Sequence, residues 1–365
     1  LNIVPSSSHN LDKSVIMNPK LNRNLIDSKS SSQFTSVINS DEESTLSDLT
    51  LKEFETGLEM DEMAVLKYKE LYTILNDFIK LCVIEEKLPN GKIVKKARKN
   101  EQRLLRNMGV HNIILDLTKI SYDKKEDKRM KIIMCKAHEF LQSFCFQNPH
   151  NQILLHEKLD LTNFPSNQWE ARTASHIFKD NFNLCNEINE RLIQNFIHEI
   201  ENQNNNDDSK IPYLEFLQII CVIEETEIKK NQDMIIDELV NSEILGYLNE
   251  KINSDEICSI MEKENNQFND ITIKNSLLLF HINLVKLLIN CTIGKNTFTE
   301  IKCHAILSLE DIEKVVTNKY CLIDIKDIYM KFLYHCHIDT ENETKEIFTQ
   351  QYIWSLFESF ILDIN

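Results

Sequence analysis

The chain has 365 residues and a formal net charge of −16. An acidic chain repels phosphate polyanions, so this balance argues against a nucleic-acid partner. Only 5 glycines and 6 prolines occur, far below average usage, and these are the residues that the tight turns of hairpins and βαβ crossovers need. The composition therefore predicts an all-α fold.

The first 60 residues are rich in serine, with SSS at 6–8, SKSSS at 28–32 and DEES at 41–44. Their scattered apolar residues follow no period, so the segment would not bury enough apolar area to offset its ordering entropy. We predict that residues 1–60 form a disordered Ser-rich linker. The chain begins at Leu1 without a signal peptide and ends on an apolar run, which indicates a piece of a longer protein.

Apolar residues recur with the period of an α-helix from Glu62 onward. The first predicted apolar face consists of Leu71, Ile74, Leu75, Phe78 and Leu81. The longest predicted helix is HIFKDNFNLCNEINERLIQNFIHEIE, residues 176–201. Its buried face would consist of Leu184, Ile188, Leu192, Phe196 and Ile200. The polar residues between them predict that the rest of the helix surface is exposed to solvent.

Polar breaks separate the predicted helices at LPNG (88–91), QNPHN (147–151), NFPSN (163–167) and NQNNNDDSK (202–210). Two pairs, Ser308 with Asp311 and Thr340 with Glu343, match the capping pattern of a helix start. The basic stretch GKIVKKARKNEQRLLR, residues 91–106, is interpreted as a solvated loop entering a helix or as a contact for an acidic neighbour, in preference to a lipid or nucleic-acid site.

Five apolar runs each close on a cysteine: Cys82, Cys145, Cys221, Cys291 and Cys336. A small apolar side chain suits the last buried turn of a closely packed helix. Without CxxC spacing, reduced structural thiols are favoured. The recurrence predicts an armadillo- or HEAT-like α-solenoid of stacked helix pairs, with a first part at 61–201 and a second, RIH-type part at 202–365. The most apolar stretch, 277–290, is too short to span a bilayer, so no direct membrane insertion is predicted.

The motifs that could carry chemistry are each incomplete. The Gly294–Lys295 pair lacks the first Gly and the Ser/Thr of a phosphate-binding loop, so Gly294 is interpreted as a helix terminator. His335, Cys336 and His337, with Cys291, Cys303, His304 and Cys321 nearby in sequence, lack metal-ligand spacing, and adjacent helical residues diverge. DTENETKEIFTQ (339–350) lacks the Gly and Glu of a calcium loop. The residues predict no enzyme, catalytic residue, cofactor or metal site.

Seven strings resemble the central cytosolic helical region of inositol trisphosphate receptors. They are QRLLRNMGVH (102–111), AHEFLQSFC (137–145), HIFKDNFNLCNEINERLIQNFIHEIE (176–201), KKNQDMIIDELVNS (229–242), CTIGKNTFTEIKC (291–303), LEDIEKVVTNKYC (309–321) and DTENETKEIFTQQYIWSLFESFILDI (339–364). They follow the family's order. The resemblance is weakest in residues 1–60, at 202–210 and between about 243 and 275.

The resemblance implies a regulatory or coupling segment of a homotetrameric, ligand-gated calcium release channel on the cytosolic face of the endoplasmic reticulum. Its partners would be other domains and subunits of that channel. The inositol trisphosphate pocket lies upstream and the pore downstream in that family, and its regulatory calcium sites cannot be matched to residues here. A ryanodine receptor segment and a soluble helical-repeat adaptor that binds peptides remain alternatives.

Overall fold

The structure, a computed structural model, describes residues 62–88, 91, 93–123, 127–159, 164–203, 207–245, 253–267, 275–341 and 351–364. The predicted linker at 1–60 lies outside them. The helices are α1 (Glu62–Cys82), α2 (Lys99–Asn107), α3 (Val110–Thr118), α4 (Lys128–Cys145), α5 (Pro149–Lys158), α6 (Gln168–Phe178), α7 (Phe182–Asn186), α8 (Glu190–Asn202), α9 (Asp207–Cys221), α10 (Lys229–Asn241), α11 (Ser254–Gln267), α12 (Ser276–Thr292), α13 (Thr297–Ile306), α14 (Leu309–Val316), α15 (Ile323–Leu333) and α16 (Gln351–Ile364). A π-helical turn, Tyr334–Ile338, follows α15.

Six helices form an inner row in which each packs on the next: α1, α4, α6, α9, α12 and α15. The other helices flank the row, with α8 and α10 against α9 and α13 against α12. One continuous set of buried apolar side chains runs through the stack. The predicted all-α stack is confirmed. Within the part of the chain that the structure describes, no helix combines the length and apolarity needed to cross a membrane.

The recurring cysteines mark the inner row. Cys82, Cys145 and Cys221 are the last residues of α1, α4 and α9, and Cys291 lies one residue before the end of α12. All are completely buried, as is Cys336 just after α15. None of the five is in a disulfide. The prediction that these cysteines lie in buried turns at the ends of helices is confirmed.

Local start and stop signals agree with the structure where it describes them. Ser308 precedes α14, and its hydroxyl accepts a hydrogen bond from the backbone N–H of Asp311. The break predicted at 202–210 does separate α8 from α9, but it is shorter than predicted because α9 already begins at Asp207. In the second predicted cap, Thr340 with Glu343, Glu343 lies outside the described residues.

The prediction of one helix over 176–201 is wrong. Three helices, α6, α7 and α8, divide that segment. Asp180 lies in the left-handed region at φ 56°, which ends α6 by turning the backbone out of the helix. Asn181 and Asn189 then cap α7 and α8, because a short amide side chain competes with the helix for backbone N–H groups. The predicted apolar row is nevertheless buried throughout, at Leu184, Ile188, Leu192, Phe196 and Ile200.

The basic stretch is not only a loop. Strand β2 (Ile93–Ala97) pairs antiparallel with strand β1 (Val83–Lys87). Across this hairpin, Lys95 forms an ion pair with Glu85 and Lys96 forms one with Glu86. A second hairpin joins β3 (Val222–Ile223) to β4 (Thr226–Glu227). Glycine scarcity did not exclude them, because opposite-charge cross-strand pairs stabilise the first hairpin, and Glu224 and Glu225 adopt positive φ in the second.

The predicted face of the first helix is only partly correct. Leu75 is fully buried, but Ile74 and Leu81 are 49% and 39% exposed. Helix α1 is the first of the inner row, and within the described residues it packs mainly on α4. An outermost helix has one covered side, so the apolar stripe is wider than the buried stripe.

Candidate functional site

Aromatic rings join helices along the inner row. Phe78 of α1 lies 5.9 Å from Phe140 of α4, measured between ring centroids. Phe178 of α6 meets Phe216 of α9 edge to face at 5.5 Å. Such pairs prefer a narrow set of tilts and distances, so each fixes how one helix sits on the next.

Polar contacts tie two further joints. Between α4 and α6, His138 Nδ1 lies 3.1 Å from Thr173 Oγ1. Between α9 and α12, the amide of Gln218 donates to the backbone carbonyl of Asn283 at 2.8 Å. A buried polar group gains most when its partner is in place and costs most when the partner is lost. These joints therefore favour one register between neighbouring helices.

The last joint of the row links α12 to α15 through His281 and Tyr329. His281 Nε2 lies 2.6 Å from the Tyr329 hydroxyl, and both residues are buried. Burial lowers the pKa of His281 to about 3, and burial also raises the pKa of Tyr329 well above its usual value. The pair therefore stays neutral and acts as a structural contact.

A buried glutamine binds the C-terminal end of α4. We call a glutamine whose amide binds two carbonyls at a helix end, together with the asparagine that binds its oxygen, a clamp. Gln102, on α2, donates its amide N–H groups to the carbonyls of Ser143 and Phe146 at 2.9 and 3.1 Å. Asn148, the N-cap of α5, donates to Gln102 Oε1 at 2.9 Å. One buried side chain thus satisfies carbonyls that the end of α4 leaves without helical partners and holds the next helix start beside them.

The same clamp occurs twice more. In the second, Gln152 of α5 donates to the carbonyls of His176 and Lys179 at the end of α6, and Asn181 donates back to Gln152. In the third, Gln232 of α10 donates to the carbonyls of Asn290 and Ile293 at the end of α12, and Asn296 donates back to Gln232.

The three clamps share one design. Each glutamine is the fourth residue of its helix and is at most 3% exposed. Each grips two carbonyls three residues apart at the C-terminal end of an inner-row helix. Leaving a buried carbonyl unpaired costs about 1–3 kcal/mol. The clamps therefore couple the flanking helices to the inner row at fixed points.

The segment CTIGKNTFTEIKC contributes Ile293 and Asn296 to the third clamp and bends the chain between α12 and α13. Gly294 adopts φ 88°, and a Cβ at this position would lie 2.4 Å from Cδ of Glu227 in strand β4. Lys295 also has positive φ and pairs with Asp339 at 2.9 Å. The interpretation of Gly294 as a helix terminator is confirmed, and the bend is fixed from both sides.

The sequence candidates for a metal site are partly brought together. His304, Cys336 and His337 place their ligand atoms within 4.8 Å of one another. Cys291 instead contacts Cys221, with the sulfur atoms 3.7 Å apart. The assumption that Cys336 and His337 diverge is wrong, because both lie in a π-helical turn, which changes the angle between successive side chains.

Sequence reasoning missed the clamps. A faint signal was present in the recurring Asn–Gln pairs at 151–152 and 231–232, each just inside a polar helix start. Composition and periodicity mark such residues as surface positions. Only the packing of a distant helix end over each glutamine makes it a buried contact.

A protein-family profile described as the RIH domain matches residues 72–247. The chain belongs to the RIH-domain family. The matched range includes the three clamp glutamines, and it crosses the predicted boundary at 201/202, so the division of the solenoid into two parts stays a prediction.

A relative of this RIH-domain chain is the inositol 1,4,5-trisphosphate receptor itr-1 of Caenorhabditis elegans. The two are 30% identical over 273 residues, which is 72% of this chain and 9% of the relative. The chain thus spans about a tenth of the relative's length. The resemblance to inositol trisphosphate receptors predicted from the seven strings is confirmed.

Proposed function

We propose that the chain is a coupling segment of an inositol trisphosphate-gated calcium release channel and relays ligand binding to the pore. The observation that carries this proposal is the inner row of six helices, each packed on the next and gripped at three helix ends by the clamps. The similarity to an inositol trisphosphate receptor supports the channel context.

The relay acts by small rigid movements. Packed helices repack between discrete arrangements and do not deform freely. A rotation of α1 would move α4 through the Phe78–Phe140 contact, and so on to α15. The clamps keep α2, α5 and α10 moving with the row, so a displacement is not lost through local unfolding at these three helix ends. No bond is made or broken in this role, and the chain acts without catalysis.

The proposed setting is the cytosolic face of the endoplasmic reticulum membrane. There the segment would contact other domains of its own subunit and neighbouring subunits of a homotetramer. The ligand pocket and the pore would lie in other parts of the same channel. A binding change at one end would reach the pore only if the stack between them stays intact.

The test places a charge inside the stack of the full channel. Phe196 of α8 is fully buried and stacks on Phe216 at 3.9 Å. Phe196→Asp should abolish ligand-evoked calcium release and leave ligand binding unchanged. Gln194→Asp, on the exposed side of the same helix, is the control and should release calcium normally. Normal release by a folded Phe196→Asp channel would show that α8 is not part of the relay.

A further inference from the structure

Two Cys–His pairs face each other at the end of the stack. Cys303 and His304 lie on α13, and Cys336 and His337 lie in the π-helical turn after α15. The Cys303 thiol lies beside the Cys336 thiol and is the main cause of the raised pKa of Cys336. Three of the four side chains are at most 7% exposed, and only His304 is half-buried. His304, Cys336 and His337 place their ligand atoms within 4.8 Å of one another, and Cys303 adjoins this cluster at Cys336.

The buried ring of His337 has a nitrogen available to bind a metal ion. It is 7% exposed, and its Nε2 has no hydrogen-bond partner. The backbone carbonyl of Leu307 accepts a hydrogen bond from the ring, so the ring proton lies on Nδ1 and the lone pair stays on Nε2. A metal-binding histidine is usually held in this way, with one N–H on a carbonyl and the bare nitrogen toward the metal.

A second buried atom near the pairs also lacks a partner. Glu300, one turn before His304 on α13, is 3% exposed, and its Oε1 makes no hydrogen bond. The backbone carbonyl of Glu300 lies 3.8 Å from Cys336 Sγ. Unpaired buried polar atoms are rare in folded proteins, and the bare His337 nitrogen in the cluster with Cys336 indicates that the site is suited to a cation.

We propose that Cys303, His304, Cys336 and His337 bind one Zn²⁺ ion. Two thiolates and two imidazoles form the tetrahedral donor set of many structural zinc sites. The two negative thiolates offset the double charge of the cation, and on binding the two thiol protons pass to solvent. The ion would connect α13 to the end of α15, across the bend at Gly294.

One ring has to turn for the ion to enter. The rings of His304 and His337 are stacked nearly parallel, with centroids 4.3 Å apart, so their lone pairs cannot meet at one point. His304 Nε2 now contacts the Cys336 carbonyl. As the half-buried member, His304 has room to rotate out of the stack and exchange this carbonyl for the ion. It also gives the ion a path from solvent.

The proposal does not depend on the relay, and it is tested on the full 365-residue chain under reducing conditions. Titration with Co²⁺, as a spectroscopic probe for Zn²⁺, should give thiolate charge-transfer bands and the intense visible bands of a tetrahedral ion, saturating at one equivalent. Excess Zn²⁺ should bleach them. Absence of saturable binding by a chain that is helical by circular dichroism would overturn the proposal. So would equal binding in strong urea, because ten cysteines can hold metal without a folded site.

Variants separate this site from other thiols. His304→Gln, at the half-buried position, should keep the helical spectrum and weaken Zn²⁺ binding by more than the roughly 10- to 100-fold that loss of a ligand's hydrogen-bond partner costs. Cys336→Ser should remove the charge-transfer band. His335→Gln is the control, because His335 lies in the same turn but outside the cluster. Unchanged binding by folded His304→Gln, or equal loss by His335→Gln, would contradict the assignment.

Discussion

Helices α8 and α16 have similar sequence patterns and different surroundings. The apolar face of α8 is covered by α9 and α10. Five apolar residues on this face are buried: Leu192, Ile193, Phe196, Ile197 and Ile200. Helix α16 packs on α14 and buries Ile353 and Leu356. It leaves Trp354 56%, Phe357 48% and Ile361 59% exposed.

The difference shows what a helical period can and cannot predict. Both helices have an apolar stripe, so both are correctly predicted as amphipathic. Which residues are energetically important depends on whether a neighbour covers the stripe. The same residue type should therefore have very different weight inside the stack and at its rim, and three pairs of substitutions measure this.

The largest contrast is expected between Phe196 and Phe357. Phe196→Asp places an unpaired carboxylate in a fully buried position, which should lower the free energy of unfolding by about 3–5 kcal/mol. Phe357→Asp acts on a side chain that is already 48% exposed and should change it by less than about 0.5 kcal/mol. Urea unfolding followed by circular dichroism measures both. Equal effects would mean that α8 is not the covered helix described here.

The next contrast is between two glutamines. Gln232→Ala leaves the carbonyls of Asn290 and Ile293 without their buried partner and should cost about 3 kcal/mol. Gln194 also makes hydrogen bonds, to Glu190 and Glu238, but it is exposed, so Gln194→Ala should cost less than about 0.5 kcal/mol. Amide hydrogen exchange at the end of α12 should accelerate in the first variant alone. An unchanged exchange rate at the end of α12 in Gln232→Ala would show that Gln232 does not stabilise this helix end.

The smallest contrast is between two glycines with positive φ. Gly91 lies at the tip of the first hairpin with nothing within 4 Å of an added Cβ, whereas Gly294 lies against Glu227. Gly91→Ala should cost about 1 kcal/mol for the left-handed backbone alone. Gly294→Ala should cost about 2 kcal/mol because the Glu227 side chain has to move as well. Combining Gly294→Ala with Glu227→Ala should reduce the loss in free energy of unfolding to that of Gly91→Ala. If the double variant is as unstable as Gly294→Ala alone, the contact with Glu227 is unimportant.

The helical stack could be predicted because the signals for it come from residues close together in the sequence. The cysteines at helix ends, the Ser308 cap and the apolar row of α8 each depend on neighbours a few residues away. The turn at Asp180 was missed because an apolar period can continue in register across a short break. The strand at Ile93 was missed because its pairing with residues 83–87 crosses a loop, and a helical period carries no information on such a pairing.

The clamps and the Cys–His pairs depend on residues far apart in sequence. Gln232 lies 64 residues from Asn296, and Cys303 lies 33 residues before Cys336. No periodicity relates such positions, and their side chains are types that usually lie at the surface or in a simple core. Only the order in which helices pack brings them together.

The relay itself is tested most directly by Gln232→Ala in the full channel. This change removes hydrogen bonds at one helix end and little apolar packing, so the stack stays folded while its coupling is loosened. Ligand binding and ligand-evoked calcium release should be measured on the same preparation, with Gln194→Ala as the control. We predict unchanged ligand binding and reduced release at saturating ligand for Gln232→Ala alone. Wild-type release from a channel whose α12 end exchanges faster would contradict the account.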